Sequence, residues 1–548
     1  MQKVLTAAEV REVDRLTTEK YGIPSLLLME NAAQAAARAI VDRFDGEVEG
    51  LSCLIFCGKG NNGGDGAALG RVLWQMGMNV EIVLIGLISA TSGDARTNFE
   101  IVQKISDNYQ FEPACAELTF EEISSLEEWY EYDSVNFQAD DPDIIVDALF
   151  GTGLNKPLDG VYEQVAALIY AYNGSSEDGG PVIVSLDIPS GLCADDSKNV
   201  GVNPCADITV TFTAPKLANV MPPAANYCGE LYVACIGSPK ELINNSPSQT
   251  YVAEKSDVRK WLGATEFSYD SYKNKRGHAL LVAGAANYAG AAVLCGNAAI
   301  RTGVGVVTIA APESSANMIG SRVTPEVMVR GVPETENGAV ALEAAAALES
   351  LLERVDVIAI GSGLSANDDS TRQFVRAMVR NRQKPIVLDA DGLNLVDAED
   401  LTPSDEFPLI LTPHAREFLK LLGTEDEGAL EDRVAAARDF AQRHRTIIVL
   451  KGARNVIASP DGRVVINPTG NPGLGKAGNG DTLTGIIAGF AGQAVKCNID
   501  LFETTVAAVY IAGLAGDIAD EKFGRRVMTA GDVRDCLDEA FELALEEG

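Results

Sequence analysis

LSCLIFCGKGNNGGDGAALGRVL, from Leu51 to Leu73, begins as an unbroken apolar strand, turns through a cluster of glycines and ends as a helix. A strand that is apolar without alternation is covered on both faces, as in a parallel sheet. Strand, glycine turn and helix is the unit from which doubly wound α/β folds are built. The alternation continues downstream in NVEIVLIG, DIIVDALFG, PVIVSLDIPSG and DITVTFTAP, each separated by helical text. Upstream, residues 6–44 predict two helices. Thr6 stands three residues before Glu9, a capping-box spacing, and LLLMENAAQAAARAIVDRF keeps a helical period with an alanine-rich face. Lys104 to Asp143 is rich in Glu, Asp and Ser and reads as a surface excursion with some helix. GSPKELINNSPSQT, Gly237 to Thr250, is polar with two prolines and marks a domain boundary. A second series follows: HALLVAG, VGVVTIAAP, VDVIAIGSG, KPIVLDADG, LILTPH, TIIVLKG, NVIASPDG and RVVINP. The expectation is an α/β protein of two doubly wound domains, residues 1–240 and 250–548, with no internal repeat relating them.

Composition narrows the function. The chain has 548 residues, 46% hydrophobic and 22% charged, as in a well-packed globular protein. Its net charge of −34 argues against a nucleic-acid partner. A phosphorylated small molecule is still admissible, because backbone amides and a few lysines make a local positive pocket. Ten cysteines are scattered without metal-type spacing, which predicts reduced thiols and a cytoplasmic protein. MQKVLTAAEVREVDRL at the start lacks a secretory apolar core. No run of about twenty uninterrupted apolar residues occurs, so no membrane span is expected.

Two glycine-rich turns carry the candidate chemistry. In the first, Gly58 to Gly66, Asn-Asn-Gly-Gly-Asp opens a helix whose positive end faces an anion. Asp147, Asp187 and Lys216 close three further strands and fall on the same sheet edge, where such folds bind ligands. With Asn62 and Ser190 they offer hard oxygen ligands for a cation and a carboxylate for proton transfer. In the second, Ala477-Gly478-Asn479-Gly480-Asp481 opens the helix TLTGIIAGF. Its amides form an anion hole, and Asp481 stands where it could take a hydroxyl proton as a phosphoryl group arrives. Either aspartate could instead merely cap its helix. His414, in Leu-Thr-Pro-His, is read as a substrate contact, whereas His278 and His444 read as structural or exposed.

LLLMENAAQAA, GKGNNGGDG, DALFGTGLNKPLDG, LDIPSGLCADD, ADITVTFTAPK and GELYVACIGSP resemble the epimerase domain of the bifunctional NAD(P)H-hydrate repair enzymes. HALLVAGAANYAGAAVLCGNAAIRTGVGVVTIAAP, PIVLDADGLN, LTPHAREF, VLKGARNVIASPDG and NPTGNPGLGKAGNGDTLTGIIAGF resemble their ribokinase-like dehydratase domain. The resemblance implies a Rossmann-like N-terminal domain that interconverts the R and S hydrates of NADH and NADPH. The C-terminal domain would then dehydrate the S form with consumption of ADP or ATP, assisted by Mg²⁺. It implies hydrate binding by Asn61, Asn62, Gly63, Gly64 and Asp65 and by Gly151, Thr152, Gly153, Leu154, Asn155, Lys156 and Pro157. Asp187 would be the acid/base, and Asn62, Asp147 and Ser190 would hold K⁺. In the second domain it implies hydrate contacts at Ala291, Gly363, His414 and the catalytic Asp481. Nucleotide contacts would be Lys451, Gly452, Ala453, Arg454, Asn455 and Gly480. It also implies a homo-oligomer.

Two departures stand out. His414-Ala415-Arg416-Glu417 replaces the usual His-Pro-Gly-Glu, and Lys476 adds a positive charge expected near the phosphates. Two other readings of the residues stand beside this one: a ribokinase-like kinase for a vitamin alcohol fused to a ligand-binding domain, and a non-catalytic cofactor sensor.

Overall fold

The computed structural model describes residues 1–108, 116–136, 142–154, 156–174, 180–199 and 201–546. The chain divides into two compact units, Lys3–Ser248 and Gln249–Gly548, the latter including Met1–Gln2. The strands are numbered from β1 (Gln2–Lys3).

The N-terminal unit holds β2 (Ser52–Cys57), β3 (Asn79–Ile85), β4 (Leu118–Ile123), β5 (Ile144–Ala148), β6 (Val182–Leu186), β7 (Ile208–Phe212) and β8 (Glu230–Ala234). They form one sheet in the order β4-β3-β2-β5-β6-β7-β8, and every pairing is parallel. The order reverses at β2, with later strands added on the β5 side. Helices α1 (Ala7–Tyr21), α2 (Ser25–Arg43) and α3 (Asn61–Gln75) precede and follow β2. The Thr6 hydroxyl accepts from the Glu9 amide and the Glu9 carboxylate accepts from the Thr6 amide, completing the expected capping box. In α2, Ala33, Ala36 and Ala37 are fully buried in one core with Ala67, Ala68 and Leu69 of α3. Small side chains there let the helices approach closely and fill the layer over the sheet.

The acidic stretch is more than a surface excursion. Its residues 118–123 form β4, hydrogen-bonded in parallel to β3, and Leu126–Asn136 is a helix whose Trp129 packs edge-on to Phe56 of β2. β4 is an edge strand with Glu121 and Glu122 exposed, so it lacks the apolar run that identified its neighbours. Residues 109–115 and 137–141 of that stretch lie outside the described residues.

The C-terminal unit is built on β9 (Thr250–Val252), β10 (His278–Val282), β11 (Val306–Pro312), β12 (Val327–Val332), β13 (Val357–Ile360), β14 (Ile386–Leu388), β15 (Leu409–Leu411), β16 (Ile447–Leu450), β17 (Val456–Ala458) and β18 (Val464–Ile466). The sheet order is β1-β9-β18-β17-β16-β15-β14-β13-β10-β11-β12. From β12 through β16 all pairings are parallel; β17 is antiparallel to both neighbours. Here the order reverses at β10. The Asn479–Cys497 helix is buried along most of its length, and Phe490 stacks on Trp261 with ring centroids 4.1 Å apart. The Leu501–Phe523 helix has the length and apolarity of a membrane span, yet Val506, Ala508 and Ile511 are wholly buried in the unit's core.

Candidate active sites

Both glycine motifs open helices that no side chain caps. α3 starts after Gly60 and the Asn479–Cys497 helix after Gly478, each without a side-chain hydrogen bond at the cap. Asn62 and Asp481 therefore lie inside their helices, at the second and third positions, and neither is the cap residue. Uncapped first-turn amides are free to meet an anion. Each helix starts beside the strand where its sheet order reverses or at the same carboxyl edge, the region where open α/β sheets bind ligands.

At the first site the glycines also serve the protein's own packing. A Cβ on Gly63 would lie 1.8 Å from the Gly58 carbonyl oxygen, and one on Gly64 would lie 2.7 Å from Ala95 Cα. Asn61 is exposed, whereas Asn62 is buried and its side-chain oxygen and nitrogen both lack a partner. Asp147, the penultimate residue of β5, is fully buried. Its carboxylate accepts from the Ser190 amide at 2.7 Å, the Ser190 hydroxyl at 2.5 Å and the Ser185 hydroxyl at 3.0 Å. Burial raises its pKa, and the Ser190 hydrogen bonds oppose that rise. Among the described residues no cationic side chain pairs with it.

Asp187 follows β6 in the left-handed region, at φ 65°. A non-glycine residue there is strained, and the strain is held by its amide donating to Val210 O at 2.7 Å and by Asn219 Nδ2 donating to its carbonyl at 3.2 Å. The carboxylate accepts from Lys216 Nζ at 2.5 Å, Thr211 Oγ1 at 3.2 Å and the Thr152 amide at 3.2 Å. Lys216 is fully buried, and its ammonium also donates to Thr211 Oγ1 and Phe212 O, both at 2.9 Å. Gly151 separates the two groups of the site: a Cβ there would lie 2.7 Å from Asp187 Oδ2 and 3.4 Å from Asn62 Cγ.

Asp65 is buried in α3, and burial holds its carboxyl well above the usual range, with Asp187 and Asp14 adding to the effect. Asp14 of α1 is pushed up to about 6, again chiefly by burial, and its Oδ1 has no hydrogen-bond partner. Nothing in the text of α1 separates Asp14 from its exposed charged neighbours, so sequence reasoning passed over it. The structure thus gathers Asn62, Asp65, Asp147, Gly151, Thr152, Asp187 and Ser190. Leu154 instead packs with Leu158 and Ala166, Gly153 and Pro157 are exposed, and Lys156 pairs with Asp159 at the surface. Asn155 lies outside the described residues.

At the second site Gly363, at φ 65°, faces Ala291: a Cβ on Gly363 would lie 3.0 Å from Ala291 Cβ. Asp481 is pushed up to about 6, by burial above all, with Asp389 acting in the same direction. Ser362 Oγ, Asn479 Oδ1 and Thr482 Oγ1 are buried without partners. His414 caps the Ala415–Leu422 helix: its Nδ1 accepts from the Glu417 amide at 3.3 Å. That bond leaves the proton of the neutral ring on Nε2, which lies 3.4 Å from Glu417 Oε1. The ring is half exposed, so capping and ligand contact are compatible. The loop after β16 carries Lys451, Gly452, Ala453, Arg454 and Asn455. The Gly452 amide donates to Asn455 Oδ1 at 3.1 Å, and Arg433 donates to Ala453 O at 2.7 Å.

Burial pulls the Lys451 ammonium down, yet Asp389 and Glu417 together hold it above its ordinary range. Lys476 does not present a bare charge: its ammonium donates to the carbonyls of Arg525, Arg526 and Met528 at 2.7–3.0 Å. Its charge is engaged by the 525–528 turn, which it tethers. His278 is structural, its Nε2 lying 2.8 Å from Thr308 Oγ1.

Residues 25–218 match the family model described as the YjeF-related protein N-terminus, and residues 279–538 match that of NAD(P)H-hydrate dehydratase. The bifunctional NAD(P)H-hydrate repair enzyme of Moorella thermoacetica is 40% identical over 97% of this chain and 96% of its own length. The chain belongs to the bifunctional NAD(P)H-hydrate repair enzymes. Members from Thermofilum pendens and Salinibacter ruber are 36% and 35% identical, each covering 100% of this chain and 97% of their own. Among solved structures, an ADP/ATP-dependent NAD(P)H-hydrate dehydratase from Bacillus subtilis, crystallised with ATP and Mg²⁺, is 34% identical with a TM-score of 0.47, covering 54% of this chain and 98% of that one. As a repair enzyme of this family, the protein pairs an NAD(P)H-hydrate epimerase domain with an NAD(P)H-hydrate dehydratase domain.

Proposed function

We propose that Asp187 is the acid/base of epimerisation and Asp481 the base of dehydration. The observation that carries the reading is the pairing, twice in one chain, of an uncapped glycine-led helix start with a wholly or partly buried aspartate at the sheet's carboxyl edge. In the first unit the hydrate binds across Asn62 and the Gly151–Thr152 turn. Its hydroxyl sits on the carbon beside the ring nitrogen. Protonation through Asp187 lets it leave as water; water returns to the opposite face and gives its proton back to the carboxylate. Lys216 holds Asp187 in place, and the strained backbone aims it.

The donor set fits a bound K⁺. Asp147 is a buried carboxylate without a cationic partner, Ser190 Oγ lies 2.5 Å from it and 3.2 Å from Phe150 O, and the Asn62 amide is buried without a partner. These are hard oxygens suited to such an ion. When bound, K⁺ would neutralise Asp147 and order the Asn62 amide at the hydrate.

In the second unit the nucleotide enters as its Mg²⁺ complex, ADP or ATP, with its phosphates toward Gly480 and the Lys451–Asn455 loop. Asp481 takes the hydrate's hydroxyl proton as the terminal phosphoryl group is transferred to that oxygen. The helix-start amides stabilise the equatorial charge. Phosphate then departs, pushed by the ring nitrogen's lone pair, and the adjacent ring carbon gives up a proton to the departing phosphate, which forms the ring double bond and leaves reduced nicotinamide. Ser362, Asn479 and Thr482 supply unpartnered polar groups for these ligands, while Ala291, Gly363 and His414 contact the hydrate. The cofactor hydrates of both NADH and NADPH are the substrates, in the cytoplasm, and the nine cysteines among the described residues are free, as a reducing compartment requires.

The test is the reduced-nicotinamide absorbance regained from a racemic hydrate with Mg²⁺ and ADP or ATP, in K⁺ and in Na⁺ buffer. Full recovery in K⁺, slowing at the S fraction in Na⁺, is expected. Phosphorylated hydrate accumulating in place of reduced cofactor would favour the kinase reading and defeat this one.

A further inference from the structure

One buried carboxylate at the second site has no role in the chemistry proposed above. Asp389, directly after β14, is 1% exposed. Its Oδ1 accepts from Lys451 Nζ at 2.7 Å and from Thr412 Oγ1 at 2.7 Å, and its Oδ2 accepts from Thr484 Oγ1 at 2.7 Å. The three donors come from three elements: the ends of β15 and β16 and the second turn of the Asn479–Cys497 helix. A carboxylate held from three directions has one orientation. The backbone is fixed as tightly. The Asp389 amide donates to Ile360 O at 3.1 Å, and Ala390 follows at φ 48°, a left-handed conformation that alanine adopts only under constraint.

The pair lies against the helix start: a Cβ on Gly480 would sit 3.6 Å from Lys451 Nζ and 3.7 Å from Asp389 Oδ2. Lysine is a flexible point charge, four rotatable bonds from the backbone, and binds phosphate well only where something else fixes it. Asp389 also neutralises the ammonium while the nucleotide is away, so a part-buried cation persists without ligand.

We propose that Asp389 is a positioning residue for the nucleotide: it holds Lys451 at the Gly480 amides in the pose that meets the incoming phosphates, and acts on nucleotide binding through Lys451. The proposal rests on the reading of Lys451 as a nucleotide contact.

The test is a double-mutant cycle on the full chain, with dehydratase kinetics at saturating S hydrate and varied Mg²⁺–ADP or Mg²⁺–ATP. Asp389→Asn and Lys451→Met are each expected to raise the nucleotide KM about tenfold or more. The double variant should be no worse than Lys451→Met, because the neutral amide also removes an unpaired carboxylate from beside the phosphates. Thr484→Val frees only Oδ2 and keeps the ion pair, so it serves if Asp389→Asn does not fold. It should raise the nucleotide KM more modestly, with no effect in the Lys451→Met background. A double variant whose KM shows the product of both single effects overturns the proposal alone. A Lys451→Met enzyme with unchanged nucleotide KM overturns the proposal and the nucleotide-contact reading together.

Discussion

Replacing Asp481 by asparagine removes the proposed base and, at the same time, a charge that burial opposes. Its carboxyl is raised from 3.8 to about 6 in the folded chain. The folded state therefore holds this proton more tightly than the unfolded state does. The associated stability is present at low pH and is lost as pH rises from the unfolded value through the folded one. At about 1.36 kcal/mol per pKa unit, the ionised Asp481 costs about 3 kcal/mol at pH 8 and about half of that at pH 5. Asparagine carries no such cost and nearly the same shape. The variant is thus expected to be inactive as a dehydratase and more stable by up to about 3 kcal/mol at pH 8, with a smaller gain at pH 5. Urea unfolding at the two pH values measures this. Trp261 is the natural probe, since it stacks on Phe490 of the helix that bears Asp481; Trp74→Phe and Trp129→Phe would silence the other two tryptophans. Equal gains at both pH values, or a variant less stable than its parent at pH 8, would refute the electrostatic reasoning.

Other outcomes follow from the same geometry. Dehydratase kcat/KM should fall about tenfold per unit below a pH of about 6 as Asp481 protonates, and a flat profile there would remove it as the base. Asp187→Asn should leave dehydration of S hydrate untouched while recovery from a racemate stops at the S fraction; complete recovery at the parent rate contradicts the assignment. Gly151→Ala places a methyl 2.7 Å from Asp187 Oδ2 and should lower epimerase turnover about 100-fold, and near-normal turnover would show that this carboxylate tolerates displacement. Lys476→Met should cost about 1 kcal/mol in stability by releasing the 525–528 carbonyls, with the nucleotide KM unchanged. A raised KM at unchanged stability would instead show that its charge acts on the phosphates.

Local chemistry explains what could be read early. The Thr6–Glu9 box depends on residues three apart, and the box forms. The buried runs of Cys53–Cys57 in β2 and of β5 and β6 identify themselves, because both faces of a central parallel strand are apolar. β4 escaped for the complementary reason: Glu121 and Glu122 face solvent at the sheet edge, so its composition matches a loop. The partners of Lys476 could not be read locally, because the carbonyls of Arg525, Arg526 and Met528 lie far along the chain.

The amino-acid sequence alone determined the α/β alternation, the two glycine-led helix starts and the aspartates at the strand ends, because each is a pattern within about twenty residues and reflects local backbone demands. Only the tertiary structure decided which charges meet. Asp14 comes to the first site from a helix well before the glycine motif, and Lys216 reaches Asp187 from the turn after β7. Asp389, Thr412, Lys451 and Thr484 converge from four separate segments. Their partnership depends on the order in which parallel strands are laid side by side, and that order is set by packing across the whole sheet, which no local spacing encodes.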